Sequence, residues 1–276
     1  MADNQTFKFM SNKVVKDFSV IDNIRLADNY SHLVLREAFV ESDAECRSCS
    51  LDYAEILPGQ FVEVRIDGCS DVFLRRPISI NDVVPEMREI HLLVRNAGVG
   101  TDALCRLRTG DVINMVLPLG KGFSINEGCK RPLLIGGGVG VAPLLYLGKC
   151  LKANGITPTF LLAAKTANDL LEIELFKRVG RVFLSTDDGS AGHCGLVTEN
   201  PALNHEWDMF YCCGPVPMMK AIGHMALERG ISCEVSLENV MACGLGACLC
   251  CVEDTVDGHV CVCKEGPVFD VRKLKW

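Results

Sequence analysis

Residues 132–144 read Pro-Leu-Leu-Ile-Gly-Gly-Gly-Val-Gly-Val-Ala-Pro-Leu. Pro132 to Ile135 has the length and apolar character of a buried strand. The glycines that follow let backbone approach an anion, and a helix start offers N–H donors and the positive end of its dipole. Pro143 suits the first turn of a helix, predicted over 142–153. The G-x-G-x-x-G fingerprint itself fails, because Gly136 with Gly138 meets Val141, and Gly138 with Gly140 meets Pro143. The stretch reads as a nucleotide loop of another pattern, with a plain strand-to-helix turn as the alternative.

Working outward, strands are predicted over 159–164, 181–185, 208–212 and 231–237, with helices over 170–179 and 216–228. Such alternation means βαβ units and a parallel sheet. Toward the N-terminus the texture changes. Short strand-like runs at 14–24, 31–37, 60–66, 73–81, 89–94 and 111–117 are broken by Gly, Pro, Asp and Asn, which suggests a barrel or sandwich. One helix, over 102–107 with Thr101 as N-cap, interrupts them.

The C-terminal stretch from Cys243 reads Cys-Gly-Leu-Gly-Ala-Cys-Leu-Cys-Cys, and Cys261 and Cys263 follow. Cys243, Cys248 and Cys251 have the C-x4-C-x2-C spacing of plant-type [2Fe–2S] ligation. Thiolate is the ligand form, and small residues between the ligands let backbone wrap a compact inorganic core. By position, either Cys261 or Cys263 qualifies as the fourth ligand; Cys250 fits no slot. A four-thiolate zinc site from Cys248, Cys251, Cys261 and Cys263 is the alternative, though it leaves Cys243 and the glycines unexplained. Cys46 and Cys49 form a C-x2-C without a second pair nearby and read as a loop without metal.

The 276 residues carry a net charge of −7, and the sequence pI is near 5.4. That balance argues against a nucleic-acid footprint. No apolar run reaches the ~18 residues of a membrane span. The first eighteen residues lack the apolar core of a secretory signal, so the expected compartment is the cytoplasm, where disulfides are scarce.

A second nucleotide has two candidate holders in the β-rich part. Arg75-Arg76-Pro77-Ile78-Ser79-Ile80 offers a phosphate-neutralising fork and a small hydroxyl, and Gly98-Val99-Gly100-Thr101 offers a cradle at a helix start. Tyr211-Cys212-Cys213-Gly214-Pro215 and Asp187-Asp188-Gly189 each end a predicted strand, where open α/β sheets bind ligands. His91 reads as structural.

Together these motifs resemble the ferredoxin–NADP reductase superfamily. Arg76 to Ser79 looks like its flavin motif and Gly100-Thr101 like its flavin pyrophosphate turn. Gly110-Asp111 with Pro118-Leu119-Gly120 looks like its barrel-closing strand. Gly136 to Pro143 and Cys213-Gly214-Pro215 look like its pyridine-nucleotide motifs. Glu238-Asn-Val-Met-Ala-Cys-Gly-Leu-Gly-Ala-Cys248 and Cys263-Lys-Glu-Gly-Pro-Val-Phe269 resemble the electron-transfer subunits of NAD-linked heterotetrameric dihydroorotate dehydrogenases. The resemblance implies a β-barrel FAD domain at 13–125, an α/β parallel-sheet NAD domain at 130–230 and a small [2Fe–2S] module at 231–276. It assigns FAD to Arg76, Pro77, Ile78, Ser79, Leu93, Val94, Arg95, Gly100 and Thr101. It assigns NAD to Gly136, Gly137, Gly138, Gly140 and Cys213, and the cluster to Cys243, Cys248, Cys251 and Cys263, preferring Cys263 over Cys261. It implies an FMN-containing catalytic partner, two of each chain. The rivals are a reductase subunit serving ferredoxin or a sulfur-metabolising partner, and a zinc scaffold. Lys165 leaves NAD against NADP open.

Overall fold

The computed structural model describes residues 13–38, 51–126 and 128–276; Cys46 and Cys49 lie outside them. Six strands close an antiparallel barrel: β1 (Val14–Ala27), β2 (Tyr30–Glu37), β3 (Phe61–Val64), β4 (Arg76–Val84), β5 (Glu89–Arg95) and β6 (Val112–Leu119). Their order around it is β1-β2-β5-β4-β3-β6, with β1 pairing β6 to complete the circuit. Alternation explains the filling, since successive side chains point to opposite faces. On β1, Val14, Phe18 and Val20 are buried while Val15 is exposed. Leu33, Leu35, Val62, Val64, Ile80, Leu92 and Met115 complete the interior.

Helix α1 (Val99–Cys105) follows β5. It begins three residues before the predicted 102–107. Gly98 is its N-cap, and the Thr101 hydroxyl reaches back to accept from the N–H groups of Ala97 (2.8 Å) and Gly98 (3.1 Å). Thr101 therefore fixes the turn ahead of the helix from inside the first turn and is not the cap. The strand predicted at 73–81 is shifted to β4, where Arg76 enters the pairing with β3.

The second unit is a seven-stranded sheet. Its elements are β7 (Pro132–Gly137), α2 (Ala142–Ala153), β8 (Thr159–Ala164), α3 (Ile173–Val179), β9 (Arg181–Thr186), β10 (His193–Cys194), β11 (Met209–Cys213), α4 (Val216–Arg229) and β12 (Ser232–Ser236). The cysteine segment follows, with the hairpin β13 (Val252–Thr255) and β14 (Gly258–Cys261) and a single turn α5 (Val262–Glu265). Then β15 (Val268–Asp270) returns to the sheet. The order is β10-β9-β8-β7-β11-β12-β15, parallel except for β15. By hydrogen bonding, β12 belongs to this sheet, and the cysteine segment leaves and re-enters along one edge. Leu144, Leu147, Phe160 and Phe176 pack one face; Leu161, Phe210, Met219 and Ile222 pack the other.

The helix predicted over 170–179 begins only at Ile173. Ala167–Asp169 forms a separate 3-10 turn, and Glu172 takes a left-handed backbone at φ 55°. No helix among the described residues is long and apolar enough to cross a membrane.

Gly148 on α2 faces the ring of Phe160 on β8, and a Cβ there would overlap that ring. Alanine gains up to about 1 kcal/mol of helix propensity, whereas overpacking costs about 1–3 kcal/mol. Gly148→Ala should therefore lower the urea midpoint at unchanged m-value.

Candidate nucleotide pocket and cysteine loop

A cavity of about 220 Å³ opens between the barrel and the sheet. Pro77, Ile78 and Ser79 of β4 and Leu93 and Arg95 of β5 form its barrel wall. Val139 and Ala142, from the β7–α2 turn, face them. Leu237, Glu238, Asn239 and Met241, between β12 and the cysteines, close it with Pro267. Strand alternation sorts the predicted residues of β5: Leu93 and Arg95 line the cavity, and Val94 points into the barrel core.

Arg76 and Gly100 meet. A Cβ on Gly100 would fall 2.6 Å from Arg76 Nε. The guanidinium thus lies across the first turn of α1, with Nη1 also donating to the Leu74 carbonyl at 2.9 Å. A cationic fork over a helix start is an arrangement that attracts phosphate.

Gly136 and Gly137 end β7, and Gly138 and Gly140 lie in the 3-10 turn that leads into α2. At Gly140 a Cβ would stand 2.6 Å from the Cys213 carbonyl oxygen and from Gly214 N and Cα. Bare backbone lets the ends of the adjoining strands β7 and β11 touch there. This is where the strand order reverses, with β8 and β9 to one side of β7 and β11 and β12 to the other, the usual crevice for a ligand in an open α/β sheet. Cys213 itself is buried, and burial pushes its thiol well above the usual range, with Glu238 adding and Ser236 opposing. Lys165 follows β8, and Asp187 and Asp188 follow β9 on the same sheet edge, where the Asp188 N–H donates to the Lys165 carbonyl.

Several residues of the pocket and of the ground beside the cysteine loop were given no role by the sequence reading. Glu238 and Asn239 are two of them. Burial raises the Glu238 carboxyl, and Arg95 opposes the shift. Asn239 Nδ2 donates to Glu253 Oε2 of β13 at 2.9 Å, which ties the pocket to the cysteine hairpin. Glu63 of β3 is a third. It is fully buried against Gly244, with no hydrogen-bond partner for either carboxylate oxygen among the described residues. Burial raises it to about 7, with Arg75 opposing. A sequence shows only a charged residue in a strand there.

The cysteine loop presents main-chain donors to sulfur. Leu245 N–H donates to Cys243 Sγ (3.3 Å), Gly246 N–H to Cys263 Sγ (3.1 Å) and Cys263 N–H to Cys251 Sγ (3.3 Å). The first bond, aided by Cys248 and Ala247 against burial, holds the Cys243 thiol near 6. Burial and the neighbouring Cys251 raise Cys263 to about 12. Gly244 (φ 65°) and Gly246 (φ 80°) adopt backbones that disfavour side chains, and a Cβ on Gly244 would meet Glu63 Cγ at 2.8 Å. Cys261 Sγ instead points to the Gly246 carbonyl at 3.8 Å, and Cys250 is exposed. Among the described residues no group of three or more His, Cys, Asp or Glu is placed to hold a metal ion. Soft thiols, main-chain donors aimed at them and a loop relieved of side chains at Gly244 and Gly246 are the chemistry an iron–sulfur core requires.

Residues 238–275 match the model of the iron-sulfur cluster binding domain of dihydroorotate dehydrogenase B. The electron transfer subunit of dihydroorotate dehydrogenase B (NAD(+)) from Fusobacterium nucleatum is 35% identical over 264 residues, spanning 92% of this chain and 96% of that one. Its counterpart from Shouchella clausii is 40% identical, over 79% and 86% respectively. The chain belongs to this family of electron transfer subunits. The family's enzyme is an oxidoreductase, and this subunit pairs with a catalytic one. Among solved structures, the NADH-dependent reduced ferredoxin-NADP oxidoreductase of flavin-based electron bifurcation superposes with a TM-score of 0.80. It is 28% identical and covers 94% of this chain and 90% of its own. The cytochrome b5 reductase domain of Ulva prolifera nitrate reductase shares the fold, with a TM-score of 0.60 at 18% identity, over 78% and 92%.

Gly140→Ala should part the β7 and β11 loops, because a backbone contact cannot yield as a flexible side chain does. The expected outcome is NADH affinity weakened about tenfold or more, ~1.4 kcal/mol, read by titration, with the flavin spectrum retained.

Proposed function

We propose that this chain carries electrons from an FMN-containing dihydroorotate dehydrogenase subunit to NAD+ in pyrimidine biosynthesis, using a [2Fe–2S] cluster and FAD. The observation that carries the reading is the shared wall. Leu237, Glu238, Asn239 and Met241 line the cavity, and their segment runs directly into Cys243. Nicotinamide exchanges hydride and an iron–sulfur cluster exchanges single electrons, so a bound flavin between them supplies the conversion.

The residues divide the work. Arg76 and Gly100 would take the FAD pyrophosphate, with Thr101 holding the turn. Pro77, Ile78, Ser79, Leu93 and Arg95 would flank the ring, and Val94 would contribute main chain only. Gly136, Gly137, Gly138, Gly140 and Cys213 would seat NAD. Cys243, Cys248, Cys251 and Cys263 would hold the cluster; the Gly246 N–H bond to Cys263 favours it over Cys261. The preference for NAD over NADP follows the names of the relatives, as does the partner. We infer a two-plus-two assembly and a cytoplasmic setting; none of the described cysteines is joined in a disulfide, as suits a reducing compartment.

The deciding experiment is anaerobic purification with the native partner, followed by flavin, iron and acid-labile sulfide analysis. Copurification with an FMN dihydroorotate dehydrogenase supports the reading. A ferredoxin-type partner would favour the second reading, a ferredoxin-linked reductase, for which the bifurcating oxidoreductase neighbour speaks. Zinc without iron would overturn both.

Cys248→Ser should lose iron and sulfide yet keep FAD, while Cys250→Ser should keep both. Arg76→Ala should weaken FAD retention by about 1.5–3 kcal/mol, the worth of one charge-assisted phosphate bond, measured by flavin loss on dilution.

A further inference from the structure

The sharp backbone turn at Glu172 marks a buried polar link between barrel and sheet. Glu172 stands just before α3 with φ 55°, a left-handed conformation that costs a residue with a side chain of order 1–3 kcal/mol. Its carboxylate is 1% exposed. Oε1 lies 2.5 Å from His32 Nδ1 on β2, and Oε2 accepts from Asn81 Nδ2 on β4 at 2.9 Å. His32 Nε2 lies 3.1 Å from His91 Nδ1 on β5. One carboxylate from the sheet unit thereby engages β2 and β4 directly and β5 through His32, and these three strands are neighbours in the barrel.

These grips lie close to the cavity along the chain. Asn81 is two residues beyond Ser79 on β4, and His91 two residues before Leu93 on β5. Asn81 Nδ2 also donates to the carbonyl of Ala142, itself a cavity residue, at 3.2 Å. The ion pair between Lys149 of α2 and Asp82 of β4 stands beside them. Apolar contact tolerates sliding; directional bonds to both oxygens of a buried carboxylate do not.

We propose that Glu172 is a positioning residue, which sets the nucleotide-binding sheet against the barrel so that the two walls of the cavity face each other at reacting distance. The inference rests on the functional reading above. Glu172 does not line the cavity; it acts through Asn81, His32 and Ala142.

The test uses the FAD-loaded complex with its catalytic partner. Single-turnover flavin reduction by NADH is followed by stopped flow, and amide hydrogen exchange is followed over residues 139–145. In Glu172→Ala the rate at saturating NADH should fall about tenfold or more, NADH affinity should change less than about twofold, and exchange should quicken, with FAD content unchanged. Glu172→Gln should restore both rate and protection, because its amide accepts from Asn81 and donates to the other tautomer of His32. Wild-type rate and exchange in Glu172→Ala would overturn the proposal, as would equal damage in Glu172→Gln. If Glu172→Ala fails to hold FAD, Asn81→Ala removes one grip and carries the same readouts. A wild-type complex inert to NADH would strike at the functional reading, and the exchange comparison would still decide Glu172.

Discussion

The cavity between barrel and sheet exists only while the two units are held against each other. The two units share apolar packing: Phe61, Leu119 and Leu93 of the barrel strands join the cores of the sheet unit, and Tyr146 of α2 packs against the barrel core. Neither supplies more than one wall. Hydride transfer requires reacting atoms near van der Waals contact, so the relation between the cores matters as much as their stability. At this seam the structure uses polar bonds, from Asn81, His32, Glu172 and Lys149. They add little to gross stability but are specific in direction.

The cysteine segment obeys the same constraint by another device. It leaves the sheet after β12 and returns as β15, which pairs with β12 itself. Both ends of the loop are thus anchored on one edge, next to the cavity. Within the loop, sulfur acceptors and main-chain donors are matched, and Gly244 packs against the buried Glu63 of the barrel. The loop therefore touches both cores, and this fixes its place beside the pocket.

Much of this was legible residue by residue. The alternating runs before residue 120 announced a closed or sandwiched β unit, and the strand–glycine–helix pattern at 132–144 announced the parallel sheet. Where the reading slipped, a tertiary contact had overruled local preference. The helix predicted over 170–179 loses its first turn because Glu172 bends to reach His32 and Asn81. Thr101, a plausible cap by type, lies inside the helix because its hydroxyl serves the preceding turn. Glu238 and Asn239 open a recognisable motif, but nothing local says that they line a cavity, and Glu63 sits in an ordinary strand that does not announce its burial against Gly244.

By itself the sequence determined the kinds of unit and the chemistry each can host, because periodicity, glycine placement and thiol spacing are local properties encoded within a few turns or strands. Only the tertiary structure decided which residues share a wall, which of the late cysteines receives the Gly246 N–H, and how barrel and sheet are oriented. Those depend on contacts between segments far apart in sequence, as between His32 and Glu172 or Glu63 and Gly244, and no local pattern records them.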